Sequence, residues 1–305
     1  MEYVSRINLK TATDDREGLI AMALDSDAQM LPIGWSCVYK EDGAKIITIK
    51  EYYEAVRAWT KQNHGRMSSV HNLFLDTKEN DLFWTRDLDG YYWICRATGP
   101  AYGECIPVFD IGAAVPVEAY KYSLEVPGQI KASFNKPCGG TAERIRSKTA
   151  IEFSKFIYNK LSNTNTYAVD TTGCGDVIDN LPDFELEELV ISYIQIHENM
   201  YVLSNSIANK STTIAIECEF RSRALESPRK AVVQVKGGER ELDAEDYYGF
   251  IDEGYDVYLY AKSVLNADIV DGVIVITRDE LKEFYDNYKS ILPENIVQWE
   301  NLFVV

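Results

Sequence analysis

Between residues 214 and 220 apolar side chains take every second position, at Ile214, Ile216, Cys218 and Phe220, and Glu217 and Glu219 stand between them. A strand sends alternate side chains to opposite faces, so this spacing predicts one apolar face and one acidic face, which Arg221 joins. The run 231–236 repeats the pattern, with Val233 and Val235 on one side and Gln234 and Lys236 on the other. Paired as a hairpin, the two strands would gather one or two carboxylates, an amide and an ammonium at one spot. Gly237 and Gly238 then end the second strand and leave that spot open to a bulky ligand.

Those groups suit phosphodiester hydrolysis, which needs a nucleophilic water, charge stabilisation on phosphoryl oxygens and help for the leaving alkoxide. Oxygen ligands from Glu217 and Gln234 would suit Mg²⁺ (or Mn²⁺), which usually keeps several waters beside one or two carboxylates. Such an ion lowers the pKa of a bound water and polarises phosphate. Lys236 would orient the attacking water and offset transition-state charge. Glu187 or its neighbour Glu188, on an upstream helix, would complete the metal shell. Glu219 rivals Glu217 because it shares its face. The tripeptide Gln234-Val235-Lys236 is weak by itself, since any half-buried strand can carry it; the order of acids before it gives it weight.

A polar stretch at 162–166, followed by the turn-forming Thr172-Gly173-Cys174-Gly175-Asp176, divides the chain. The expected arrangement is a first domain at 1–148, a helix and linker at 149–182, and a second domain at 183–305, of mixed α/β (α+β) class. Before the break, strands are expected at 29–35, 81–85, 91–97 and 106–108, with helices at 49–62 and 69–75. That mixture predicts a small β-barrel decorated by helices. The apolar spacing of 149–161 predicts an amphipathic helix. After the break, helices are expected at 184–194 and at 279–292, the second capped by Asp279. Strands are expected at 213–221, 231–236, 257–261 and 272–277, and 243–254 is the least defined piece.

The chain is 46% hydrophobic and 26% charged, which fits a folded globular protein and not a disordered one. No run approaches the roughly 18 apolar residues of a membrane span, and residues 1–10 carry charge where a signal peptide is apolar. A cytoplasmic (bacterial) protein with no membrane partner is expected. The net charge of −17 would repel a phosphate backbone, so nucleic-acid binding requires local basic patches. Arg144, Arg146 and Lys148 offer one, and Arg221 and Arg223 another; both also fit ordinary solvated faces. The six scattered cysteines form no CxxC pair and read as buried thiols. His64 and His71 read as surface residues.

The segments Leu186-Glu187-Glu188-Leu189-Val190, Ile216-Glu217-Cys218 and 231–236 resemble the Mrr-type branch of the PD-(D/E)xK nucleases. In that branch a helical glutamate precedes an acidic strand residue and the half-motif is QxK. The resemblance covers about 183–300 and implies roles for Glu187, Glu217, Gln234 and Lys236 in that order. The departure is Glu217, where Asp is usual. Residues 1–148 resemble a PUA/EVE-like domain, on Ile33-Gly34-Trp35-Ser36, Asp81-Leu82-Phe83-Trp84-Thr85-Arg86 and Tyr91-Tyr92-Trp93-Ile94-Cys95-Arg96. That resemblance implies a pocket reading a modified base taken from its stack. Trp35 and Trp84 would be its walls, Ser36 and Thr85 its edge, and Arg86 and Tyr92 further contacts. The tryptophans fit a barrel core as well. Together the two resemblances imply a modification-dependent restriction endonuclease acting on DNA, as a homodimer where both strands are cut. The alternative is a non-cleaving nucleic-acid-binding or ligand-sensing defence protein.

Overall fold

The computed structural model describes residues 3–39, 47–136, 140–170, 176–204, 206 and 216–303. Its packing divides the chain into two units, Met1–Asp170 and Thr171–Val305.

The first unit runs β1 (Val4–Ile7), α1 (Arg16–Ile20), β2 (Met30–Ile33), α2 (Ile49–Gln62), α3 (Ser69–Asp76), β3 (Leu82–Arg86), β4 (Tyr92–Ala97) and β5 (Tyr102–Ile106). It continues with β6 (Ile111–Lys121), α4 (Gly128–Phe134), β7 (Ala142–Ile145) and α5 (Lys148–Ser162). The strands pair in the order β2-β6-β4-β3-β1-β7, with β5 also on β6. Strand β6 bonds β2 and β5 through its first half and β4 through its second, so its length turns the sheet into a half-barrel. The expected barrel is therefore open among the described residues.

Alternation sorts this sheet's side chains. Phe83, Trp93, Cys95, Ala113 and Val115 enter one core with Tyr52 and Val56 of α2 and Phe74 of α3. Trp84 points the other way, to α5, where Tyr122 also meets Phe153. Helix α5, expected in the connection between domains, thus lies on the first sheet. Its start is capped by Ser147, and α2 opens with a Thr48–Glu51 capping box. Of the strand expected at 106–108, Ile106 ends β5, whereas 107 and 108 enter a 3-10 turn, because Pro107 has no N–H for a ladder.

The second unit runs α6 (Val177–Asn180), α7 (Asp183–His197), β8 (Met200–Val202), β9 (Cys218–Ser222), β10 (Lys230–Val235), β11 (Glu241–Asp243), α8 (Tyr248–Asp252), β12 (Asp256–Tyr260), β13 (Ser263–Leu265), β14 (Val273–Val275) and α9 (Arg278–Tyr288). Its main sheet has the order β14-β12-β10-β9-β8. Strands β8, β9 and β10 form an antiparallel meander, whereas β10, β12 and β14 run parallel. Residues 213–215 of the expected 213–221 strand lie outside the described residues. Helix α9 is capped by Thr277, with Glu280 returning the bond, and not by Asp279. Thr277 wins because a Glu three residues later completes its capping box.

One face of this sheet carries Cys218, Phe220, Val233 and Val235, all buried as expected. The opposite face is also covered. Val232, Val257 and Leu259 pack there with Ala244, Tyr247 and Val270. The face that carries Gln234, expected to open to a bulky ligand, is thus covered by residues of 244–251 and by Val270.

Candidate active site

Strands β9 and β10 pair Val232 with Glu219 and Val233 with Cys218. One step further, the Glu217 N–H donates to the Val233 carbonyl at 2.8 Å, which sets Glu217 opposite Gln234. The Gln234 Nε2 group donates to Glu217 Oε1 at 2.7 Å and to the Val235 carbonyl at 3.2 Å. Only the NH₂ end of an amide can face a carboxylate, so chemistry fixes the amide's orientation. Glu217 is 7% exposed and Gln234 1%. Lys236 Nζ lies 4.0 Å from Glu217 Oε1. The Lys236 N–H donates to the Tyr260 carbonyl at 2.8 Å, anchoring the strand's end.

Gln234 Oε1 is buried and has no hydrogen-bond partner. An orphaned buried acceptor costs about 1–3 kcal/mol. A cation or water placed against it would offset that cost. Glu217 and Gln234 therefore present two oxygen donors of the kind a hard divalent ion takes. Among the described residues no group of three or more His, Cys, Asp or Glu side chains gathers as a metal site.

Glu219, the rival acid, accepts from the Tyr255 hydroxyl at 3.4 Å and lies 3.7 Å from Arg221. That leaves Glu217 as the acid facing the amide. Glu187 and Glu188 lie half-buried on α7. Burial, followed by the charges of Glu217, Glu188, Glu187 and Glu219, pushes the Cys218 thiol up to about 12. Glu187 and Glu188 thus lie close enough to Cys218 for their charge to act on its thiol, on the face of the sheet opposite Gln234.

Beside Lys236 a cavity of about 580 Å³ opens where β10, β12 and β14 end, bounded by Gly237, Tyr260, Lys262 and Arg278. Ligands of open sheets commonly bind outside the carboxyl ends of parallel strands. Arg278 is held by both Asp179 oxygens at 2.7 Å, and Lys262 pairs with Glu239.

In the first unit the proposed base-reading residues do not converge. Trp84 is fully buried and donates its indole Nε1–H to Ser154 Oγ at 2.8 Å, so it is core. Thr85 is fully buried on the other face, with its hydroxyl unpartnered. Tyr92 is buried against Phe134, and the exposed Arg86 lies over both rings. Trp35 lies across the sheet from Trp84, half-buried, with its ring edge-on to Trp59 and His71.

Trp35 has a left-handed backbone with φ 76°, a strain that side-chain contacts must hold. Asp110 holds it: the carboxylate accepts from the Trp35 and Ser36 N–H groups at 3.3 and 3.0 Å and from the Ser36 hydroxyl at 2.9 Å. The Tyr52 hydroxyl donates to the Gly34 carbonyl at 2.6 Å. Nothing local marks Asp110 for this clamping role, since its partners lie about 75 residues away. His71, expected at the surface, is buried against Tyr52, with burial lowering its pKa; His64 is exposed as expected. Of the thiols expected to be buried, Cys95 and Cys218 are, whereas Cys37 and Cys105 are exposed; Cys138 and Cys174 lie outside the described residues.

The expected backbone-binding cations are mostly engaged. Arg144 reaches Asp76 at 3.3 Å and lies over the Tyr3 ring, Lys148 reaches Asp170 at 3.0 Å, and Arg221 bonds the Phe220 carbonyl. Arg146 and Arg223 are exposed. Among the described residues no helix is long and apolar enough to cross a membrane.

A scan against protein-family models finds no match, and neither a search of curated proteins nor one of solved structures finds a similar chain.

Proposed function

We propose that the second unit is a metal-dependent nuclease of the PD-(D/E)xK kind, cutting nucleic acid at Glu217, Gln234 and Lys236. The observation that carries this reading is the cross-strand pairing of Glu217 with Gln234, with Lys236 Nζ 4.0 Å from the carboxylate. Three separate sequence positions thereby form one cluster of acid, amide and ammonium beside an open cavity. Glu217 and the orphaned oxygen of Gln234 would hold Mg²⁺ or Mn²⁺, and Glu187 or Glu188 of α7 would complete the shell. When bound, the ion would activate water and polarise the phosphoryl group. Lys236 would position the attacking water by hydrogen bonding and offset charge on the phosphoryl oxygens. The Gln234 NH₂ group holds Glu217 Oε1 and so orients the carboxylate.

The substrate class within this reading is DNA, with the first unit selecting a modified base through Trp35, whose strained backbone and Asp110 clamp support a preset role. The deep burial of Glu217 and Gln234 favours a second reading, a nuclease-like unit that holds nucleic acid without cutting it. Incubation of the protein with plain and modified DNA and with RNA, with Mg²⁺ or Mn²⁺ and with chelator, decides between them. Metal-dependent cleavage that Lys236→Ala and Glu217→Gln remove is the expected result. Cleavage untouched by both substitutions would reject the site, and intact substrate throughout would favour the second reading.

A further inference from the structure

In this acidic chain many cations of the first unit are engaged by carboxylates: Arg96 by Glu118, Lys121 by Asp87, Arg144 by Asp76 and Lys148 by Asp170. Lys10, Arg16 and Arg86 differ. Among the described residues none of the three has an ion-pair partner, and all three line one cavity of about 440 Å³. That volume falls within the range of about 300–1,000 Å³ typical of small-ligand pockets.

The two arginines are held in place without being neutralised. Arg16 Nη2 donates to the Leu9 carbonyl at 2.7 Å, which fixes the guanidinium and leaves its other N–H groups available. The Arg86 guanidinium lies 5.8 Å from the centroids of both Tyr92 and Phe134. Phe134 lines the cavity, and the buried Arg6 lies 5.6 Å from its ring centroid. Asp87 also lines the wall, but its oxygens accept from the Tyr91 N–H at 2.8 Å and the Trp93 indole at 2.9 Å, and Lys121 lies 3.3 Å away. Its charge is met on the spot.

We infer that this cavity binds a nucleotide, with the phosphoryl group between Arg16, Arg86 and Lys10 and the planar base against Phe134. Guanidinium forks match phosphate oxygens two at a time, and an aromatic ring gives a base a stacking face. The site lies in a different unit from the proposed cleavage residues and stands without them. The nucleotide is either free or part of a strand, and the same chemistry recognises both.

Titration calorimetry of the full chain tests this with the common 5′-nucleoside monophosphates, a short single-stranded oligonucleotide and inorganic phosphate. A nucleotide is expected to bind more tightly than phosphate, with affinity that falls as salt is added. Arg16→Gln and Arg86→Gln should each weaken binding roughly tenfold or more, with thermal unfolding unchanged. Lys10→Gln, at an exposed position, gives the same direction if either arginine change lowers stability. Glu217→Gln should bind as wild type, so loss of cleavage and loss of this site are separable. Tighter binding of the oligonucleotide that Arg16→Gln and Arg86→Gln weaken identifies a strand as the source, and tighter binding of a monophosphate a free nucleotide. Absence of nucleotide binding, phosphate binding as tightly as nucleotides, or unchanged affinity in all three variants would each overturn the inference.

Discussion

The Trp84 indole donates its Nε1 proton to Ser154 Oγ across 2.8 Å, and both side chains are fully buried. This bond joins β3 to α5, with Ser154 Oγ donating in turn to the Ala150 carbonyl at 2.6 Å. It accounts for a tryptophan that cannot serve as a ligand wall. Ser154→Ala would leave a buried indole N–H unsatisfied. A loss of about 1–3 kcal/mol is expected, read by chemical denaturation with an unchanged m-value. A stability equal to wild type would mean that the bond contributes nothing net.

Lys236→Ala should lower cleavage by roughly 10²–10³-fold, the scale for removing one preorganised charge-stabilising group, with little change in stability, because its side chain is partly exposed. Glu217→Gln keeps an acceptor for Gln234 Nε2 and should fold normally while losing metal-dependent activity. Single-turnover assays with each variant measure this, and a wild-type rate in either removes that residue from the site.

Glu118 accepts from the Tyr120 hydroxyl at 2.6 Å, the Tyr158 hydroxyl at 2.5 Å and Arg96 at 2.7 Å. These donors, in that order, hold its carboxyl at about 2, below the ordinary 4.5. A depressed pKa in the folded state favours folding above about 4.5, and the contribution is lost as pH falls from there toward 2. The Tm difference between wild type and Glu118→Gln should therefore shrink across that window. Its half-exposed carboxylate keeps the effect modest. A difference independent of pH between 6 and about 2.5 would rule out the ionised carboxylate as its source.

A Cβ added at Gly112 would come 2.7 Å from the Tyr52 ring and 2.8 Å from the Gly34 and Trp35 carbonyls. Two of those neighbours are backbone and cannot swing away. Gly112→Ala should cost about 1–3 kcal/mol and loosen the Trp35 segment, visible as altered tryptophan fluorescence. Wild-type stability and emission together would show that the segment yields without cost.

Local patterns carried far in some places and not in others. The capping residues of α2 and α3 and the acidic first turn of α7 mark them in the sequence, and alternation alone puts Gln234 and Lys236 on one side of β10. Strand β6 was harder to read, because Gly112, Pro116 and Glu118 interrupt it and its identity rests on three partner strands. Whether Trp84 was wall or core depended on α5, some 70 residues away. The packing of Ala244, Tyr247 and Val270 over the Val232 face of the sheet is equally non-local. For Lys10, Arg16 and Arg86 the deciding property is the lack of an ion-pair partner among the described residues, which no linear pattern records.

Strand β10 is bonded to an antiparallel neighbour on one side and a parallel one on the other, each in a defined register. One residue inserted within 231–235 would invert every side chain that follows, turning Lys236 toward the face that holds Val235. One inserted at 223–229, where the connection is exposed, would bulge into solvent and leave the pairing intact. Descendants of this chain are therefore expected to drift in length at that connection while the spacing from Gln234 to Lys236 stays fixed. The two ladders that bind β10 act as a reading frame for its chemistry.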